Sequence, residues 1–279
     1  MGCSSRQLAG RHEWPGRDAA AELDQRSRGV VAHSSGNHAQ AIAFAAKKLG
    51  IRATLVVPET ASSMKIEATR RWDAEVILVS PLGNARFDAC ARIIEERGAV
   101  LIEPYNAAAI MEANGTIGLE IIAQVPDVKS VIAPVAGGGL LAGLAASLVR
   151  SRPDIEVFGA EPELASDAHR SFRTGRIVRI SPEDALRTVA DGLRTTALGD
   201  LTWPLIRAYV KDIVTVSERA ILDAVRRVAS EARLVAEPSG AVGVAGAFAA
   251  SLDPERTVVV ISGGNVAPDT LTEILDGGK

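Results

Sequence analysis

The sequence predicts an α/β protein, two lobes of mostly parallel sheet flanked by helices, and three observations carry that expectation. From Gly29 onward short β-branched runs alternate with Ala/Leu-rich stretches of helical length, and such alternation places helices on the faces of a parallel sheet. Gly50 and Gly98 stand where helices would stop. Three polar, glycine-bearing turns each follow a short apolar run: His33-Ser34-Ser35-Gly36-Asn37-His38, Ala136-Gly137-Gly138-Gly139-Leu140 and Ser262-Gly263-Gly264-Asn265. Ligands of parallel sheets collect beyond the carboxyl ends of strands, where these turns stand.

The elements follow in order. Residues 1–28 are rich in Arg, Gly and isolated polar residues, show no sustained period, and read as an irregular stub. A first lobe over 29–104 begins with strand at 30–32, helix at 39–49, and strand at 53–57 ended by Pro58. It continues with helix at 62–72, strand at 76–79, helix at 86–97 and strand at 100–102. A second lobe over 105–279 starts with helix at 115–123, strand at 130–134, helix at 140–150 and strand at 156–160. The polar stretch 166–200 reads as a loop-rich excursion. Strand at 213–216 leads through Ser217, placed as a cap, into helix at 218–231. A helix near 240–250 and a strand at 257–261 close the pattern, and the seam between lobes falls near 103–107.

Composition narrows the function. A hydrophobic share of 47% and a charged share of 23% describe an ordinary soluble globular chain. A net charge of −3 without a basic block gives nucleic acid no footprint, and 4% aromatics leave little for base stacking. The longest apolar run, 241–252, is too short to span a bilayer, so no membrane partner is expected. Arg6 stands where a lipidation signal needs Ser or Thr, and no secretory apolar core follows Met1. Cys3 and Cys90 lack a partner at metal or redox spacing, which suits a reducing cytoplasm.

The turns carry the chemistry. Strand, glycine turn, helix presents backbone N–H groups to an anion at Gly137, Gly138 and Gly139; a tight turn without ligand is the alternative. Gly137-x-Gly139-x-x-Ala142 also fits a dinucleotide fingerprint, with Glu161 at the end of the next strand as a ribose-binding acid. A dinucleotide site has no use for the other two turns, so an NAD-dependent oxidoreductase ranks low. The hydroxyls and N–H groups of Ser34 to His38 suit a carboxylate, the alternative being helix capping by Ser34, Ser35 or Asn37. Ser262-Gly263-Gly264-Asn265 taken singly reads as a chain reversal.

In this order and at these separations the three turns resemble those of fold-type II pyridoxal-phosphate (PLP) enzymes, the serine racemase and threonine/serine ammonia-lyase branch. The resemblance runs from about Ala19 to the C-terminus. Ala160-Glu161-Pro162, Ala190-Asp191-Gly192-Leu193-Arg194, Thr202-Trp203-Pro204 and Glu237-Pro238-Ser239-Gly240-Ala241 support it. It implies a tryptophan-synthase-β-like fold with a small domain and a large PLP-binding domain. The implied activity is deamination of L-threonine or L-serine, with serine racemisation or 3-hydroxyaspartate dehydration sharing the opening step. By the resemblance Gly137, Gly138, Gly139 and Leu140 hold the phosphate, Asn37 meets the phenolic oxygen and Ser262 faces the ring nitrogen. Ser34, Ser35, Gly36, Asn37 and His38 would clasp the substrate carboxylate, with Ser35 as acid/base. Glu161, the Ala165 carbonyl and Asp167 match a divalent-cation site suited to Mg²⁺ or Ca²⁺. A homodimer is implied as well.

One departure stands out. The family's Schiff-base lysine lies in Ser-Phe-Lys-x-Arg-Gly before the first turn, whereas the first lysine here is Lys47. Lys47, Lys48, Lys65, Lys129, Lys211 and Lys279 all read as surface lysines. The expectation is a reading frame truncated or misread at its 5′ end, ahead of a lysine-free pseudoenzyme binding PLP or an amino acid. Either way the chain as written should have little activity and, with a strand edge exposed, poor solubility.

Overall fold

The computed structural model describes residues 24, 26–34, 36–61, 63–82 and 84–277. Most of the expected stub, and Ser35 and Lys279, lie outside the described residues; 26–28 are helical. Two compact units divide the chain, Met1–Pro104 and Tyr105–Lys279.

In the first unit β1 (Val30–His33), β2 (Ala53–Pro58), β3 (Glu75–Val79) and β4 (Val100–Leu101) form a parallel sheet in the order β3-β2-β1-β4. Helices α1 (Asn37–Leu49), α2 (Ser63–Arg70) and α3 (Ala85–Arg97) connect them. Successive residues of β1 and β2 point to opposite faces, and both faces are buried. Ala32, Leu55 and Val57 pack with Ile42, Ala43 and Ile66, while Val31 and Val56 pack with Ala89, Cys90 and Ile93. Gly50 and Gly98, at φ 67° and 65°, end α1 and α3 in the left-handed region.

The second unit repeats the plan. Strands β5 (Ser130–Pro134), β6 (Glu156–Pro162), β7 (Asp212–Val216) and β8 (Thr257–Val259) pair in parallel in the order β7-β6-β5-β8. One face carries α4 (Ala108–Gln124) and α5 (Gly139–Ser151), whose Leu141, Leu144 and Leu148 pack on Val131, Ala133, Val157 and Ile213. The other carries α9 (Glu218–Ser230) and α10 (Pro238–Ala249), with Ile221, Val225, Ala241 and Val242 over Ile132 and Ala160. The Ser217 hydroxyl caps α9, accepting from the Ala220 N–H at 3.3 Å.

Several elements differ from expectation. Helix α4 starts at Ala108, and the stretch expected to be irregular holds α6 (Asp167–Thr174) and the one-turn α7 (Pro182–Ala185). Helix α6 buries Asp167 and Ser171 beside Ala168, so its inward face mixes polar and small residues and leaves no clear apolar period to read. Helices α8 (Thr202–Tyr209) and α11 (Pro268–Leu275) were also not foreseen. Both carry a proline in the first turn, where its missing N–H costs nothing. Among the described residues no helix is long and apolar enough to cross a membrane.

Helices α4 and α5 touch backbone to backbone. A Cβ on Gly143 would overlap the Met111 carbonyl, and one on Gly118 the Ser147 hydroxyl. Gly143→Ala therefore destabilises the protein by about 1–3 kcal/mol, read from denaturant unfolding. Ser151→Ala, at the exposed end of α5, shifts it by less than about 0.5 kcal/mol.

Candidate functional site

Strand order decides where ligands can enter. In the second unit the chain runs from β5 to β6 and β7 on one side and returns as β8 on the other. The crevice beyond the carboxyl ends of β5 and β8 is thus a topological switch point. The glycine turn leaves β5 there and the Ser262 turn leaves β8, after Val260 N–H has extended the ladder to the Ile132 carbonyl at 2.9 Å.

The glycine turn is bare for steric reasons. Gly138 is the N-cap of α5 at φ 93°, a left-handed conformation, and no side chain caps the helix. A Cβ on Gly138 would lie 2.7 Å from Thr202 Oγ1, while one on Gly137 would overlap the Tyr105 ring and one on Gly139 would sit 2.9 Å from the Tyr105 backbone. The buried Thr202 hydroxyl donates to the Gly137 carbonyl at 2.8 Å, and Gly199 N–H donates to it at 3.1 Å. Packing alone thus accounts for the three buried glycines, and the first-turn N–H groups of α5 have no helical acceptor. Leu140 is half-buried in that first turn. Ser262 is exposed, and the following Gly263 carbonyl accepts from Glu237 N–H at 3.1 Å. Beside it Ser239 Oγ accepts from Gly192 N–H at 2.8 Å, tying the two supporting phrases together.

The first unit has its own switch point beyond β1 and β4. The N-cap of α1 is Gly36, and the Ser34 hydroxyl accepts from Gly36 N–H at 3.1 Å. Asn37 opens α1, and His38 Nε2 lies 3.2 Å from the Ile102 carbonyl. Burial holds His38 below the usual histidine range. Ser34, Gly36, Asn37 and His38 are thus brought together in one turn; Ser35 lies outside the described residues.

A second cluster ends β6. Glu161 and Asp167 are each 1% exposed, with Ala165 on the 3₁₀ turn between them. Glu161 accepts from the N–H groups of Ala168 at 3.2 Å and His169 at 2.5 Å, so it is engaged and unavailable to a ribose. Burial, then the Asp167 charge, raises its pKa well above the carboxylate range. Burial pushes Asp167 up to about 7, and its Oδ2 has no hydrogen-bond partner among the described residues. No group of three or more His, Cys, Asp or Glu side chains able to hold a metal occurs among the described residues.

The sequence reading missed Tyr105, which has no motif. It also misplaced Lys65. Lys47, Lys129 and Lys211 pair at the surface with Asp73, Asp154 and Glu156, but Lys65 is buried against Gly36.

The second unit is a parallel α/β fold whose switch point carries an uncapped helix N-terminus behind a glycine turn. The chain belongs to the pyridoxal-phosphate dependent enzyme family, whose pattern matches residues 14–263. It is 37% identical over 263 residues to a serine racemase of Oryza sativa, covering 92% of this chain and 76% of that one. It is 40% identical over 257 residues to an L-threonine ammonia-lyase of Thermotoga maritima, covering 91% of this chain and 63% of that one. The structure of maize serine racemase superposes with a TM-score of 0.85 at 37% identity, over 91% of this chain and 78% of that one.

His33, at the end of β1, gives a pH signature. Its Nε2 lies 3.7 Å from Glu103 Oε2, yet burial and then the Arg86 charge lower its pKa to about 4, and burial raises that of Glu103. The pair is therefore not an ion pair at neutral pH. Between about pH 6.5 and 4 the unfolded histidine binds a proton that the folded one refuses, so stability falls as pH falls. Glu103 acts with the opposite sign, and comparison of wild type with His33→Gln isolates the histidine. Thermal melts should show the variant losing less stability across that window, by up to about 1.4 kcal/mol per pH unit.

Proposed function

We propose that the chain binds PLP and acts on a small hydroxy-amino acid, deaminating L-threonine or L-serine to the 2-oxo acid and ammonia. Serine racemisation and 3-hydroxyaspartate dehydration share the same first proton transfer. The observation that carries this reading is the uncapped N-terminus of α5 behind Gly138 at the switch point of the second sheet. A phosphate fits it: backbone N–H groups and the helix dipole favour an anion there. Bound PLP supplies the electron sink that acidifies the substrate Cα–H. By the family resemblance the amides of Gly137, Gly138, Gly139 and Leu140 would hold the phosphate, Asn37 would donate to the phenolic oxygen, and Ser262 would serve the ring nitrogen with a hydroxyl. Ser34, Ser35, Gly36, Asn37 and His38 would bind the substrate carboxylate, and Ser35 would be the group to move a proton at Cα. Release of 2-oxo acid from serine, threonine and 3-hydroxyaspartate in the presence of PLP tests the reading, and no release from any of the three contradicts it.

Glu161, the Ala165 carbonyl and Asp167 are proposed to hold Mg²⁺ or Ca²⁺, supported by two buried carboxylates and the partnerless Asp167 Oδ2. Such oxygen ligands suit hard cations. A cytoplasmic homodimer without nucleic-acid or membrane partners completes the proposal, and the net charge of −3 supports its nucleic-acid part.

Leu140→Pro removes one first-turn N–H where proline is tolerated. It should weaken PLP binding about 10- to 100-fold relative to Leu140→Ala, the scale of a lost hydrogen bond to a charged group. Fluorescence titration with PLP reads this; equal affinities would refute the phosphate assignment. Calcium at a hundredfold excess over its Kd should stabilise the fold by about 2.7 kcal/mol. Chelator reverses that gain, and Asp167→Asn removes it; a melting temperature indifferent to calcium would refute the cation site.

A further inference from the structure

The amino ends of the first sheet, opposite its switch point, carry a charged cluster that belongs to none of the three turns. A cavity of about 210 Å³ opens there, lined by Arg28, Arg52, Arg97, Asp73 and Glu75. Arg28 precedes β1, Arg52 precedes β2, and Arg97 ends α3 just before β4. Close packing seats two of the arginines. A Cβ on Gly29, at φ 83°, would lie 2.8 Å from the Arg52 carbonyl, and one on Gly98 would lie 2.9 Å from Arg28 Cδ. The Arg52 carbonyl accepts from Val30 N–H at 2.8 Å, while Arg52 Nη2 donates to the Ser27 carbonyl at 3.3 Å.

Most of the charges are matched. Asp73 pairs with Lys47 at 3.0 Å, and Arg28 with Asp24. Arg97 grips both oxygens of Glu75, which also accepts from the buried Thr54 hydroxyl at 3.0 Å. The Arg97 hydrogen bonds hold the Glu75 carboxyl below the usual carboxylate range, so it stays ionised and engaged. Basic side chains are favoured at helix C-termini, which accounts for Arg97. Arg52 stands outside any helix. It feels the Glu75 charge but forms no ion pair among the described residues.

The donors and the volume define the ligand. Each guanidinium has more N–H groups than these bonds consume, and its planar fork matches carboxylate and phosphate alike. A phosphoryl group spreads three acceptor oxygens over a tetrahedron, which suits guanidinium groups arriving from separate segments better than a flat carboxylate does. The cavity is smaller than the roughly 300–1,000 Å³ typical of sites for drug-sized ligands, so its occupant is small.

We infer that this cavity binds a phosphoryl anion, as free phosphate or as a small phosphate ester, with Arg52 as its main ligand and Arg28 and Arg97 beside it. The site lies in the first unit and is independent of PLP binding at α5.

Calorimetric titration of the full chain with inorganic phosphate, glycerol 3-phosphate and acetate, at an ionic strength held constant with chloride, tests it. Leu140→Pro marks any phosphate held at α5. Arg52→Gln should weaken one phosphate component about 10- to 100-fold, and Leu140→Pro should leave that component within about twofold of wild type. Arg52→Lys should recover part of the loss, because it keeps the charge without the fork. Arg52 is exposed, so both variants keep the fold. Whichever of phosphate and the ester binds this component more tightly identifies the source of the anion. Phosphate binding by Arg52→Gln equal to wild type, acetate bound as tightly as phosphate, or no phosphate component beyond the one that Leu140→Pro weakens would each overturn the inference.

Discussion

The organising constraint is the start of α5, where neighbouring atoms leave no room for side chains and the first-turn N–H groups have no helical acceptor. Tyr105 and Thr202 fill the spaces that Cβ atoms of the glycine turn would need. The leucines of α5 lock the helix onto β5 and β6, and the close approach to α4 fixes its depth. Strand order then delivers this terminus to a crevice shared with the turn after β8. In magnitude the hydrogen bonds matter more than the dipole. A charge-assisted bond contributes about 1.5–3 kcal/mol, against about 0.3–1 kcal/mol for a charge near a helix end.

Burial does different work in each cluster. At His33 and His38 it holds imidazoles below the usual histidine range. At Glu161 and Asp167 it opposes ionisation of two neighbouring acids. Two backbone N–H groups serve Glu161, and Asp167 Oδ2 is left over. That imbalance separates the cluster from a ribose-binding acid, and it is why the dinucleotide fingerprint fails here.

Much of this was legible in the sequence. β1, β2 and β5 read clearly because both faces of their sheets are apolar, and α1 and α3 because a glycine ends each. The three turns stood out because each combines glycine with polar residues after a strand. α6 did not, because its inward residues include Asp167 and Ser171, whose partners are set by the tertiary fold. Lys65 was misread for a related reason: in a short helix with Glu67 and Arg70, one more charge looks solvated. Only the approach of its stem to Gly36, distant in sequence, shows that it is buried. Tyr105 carries no local pattern, since its role is to occupy the space beside a turn more than thirty residues away.

The most direct measurement is a crystal structure of the chain grown with PLP. The account predicts phosphate oxygens about 2.7–3.2 Å from the N–H groups at Gly138, Gly139 and Leu140. A phosphate bound elsewhere, or an α5 N-terminus occupied by water alone at saturating PLP, would contradict it.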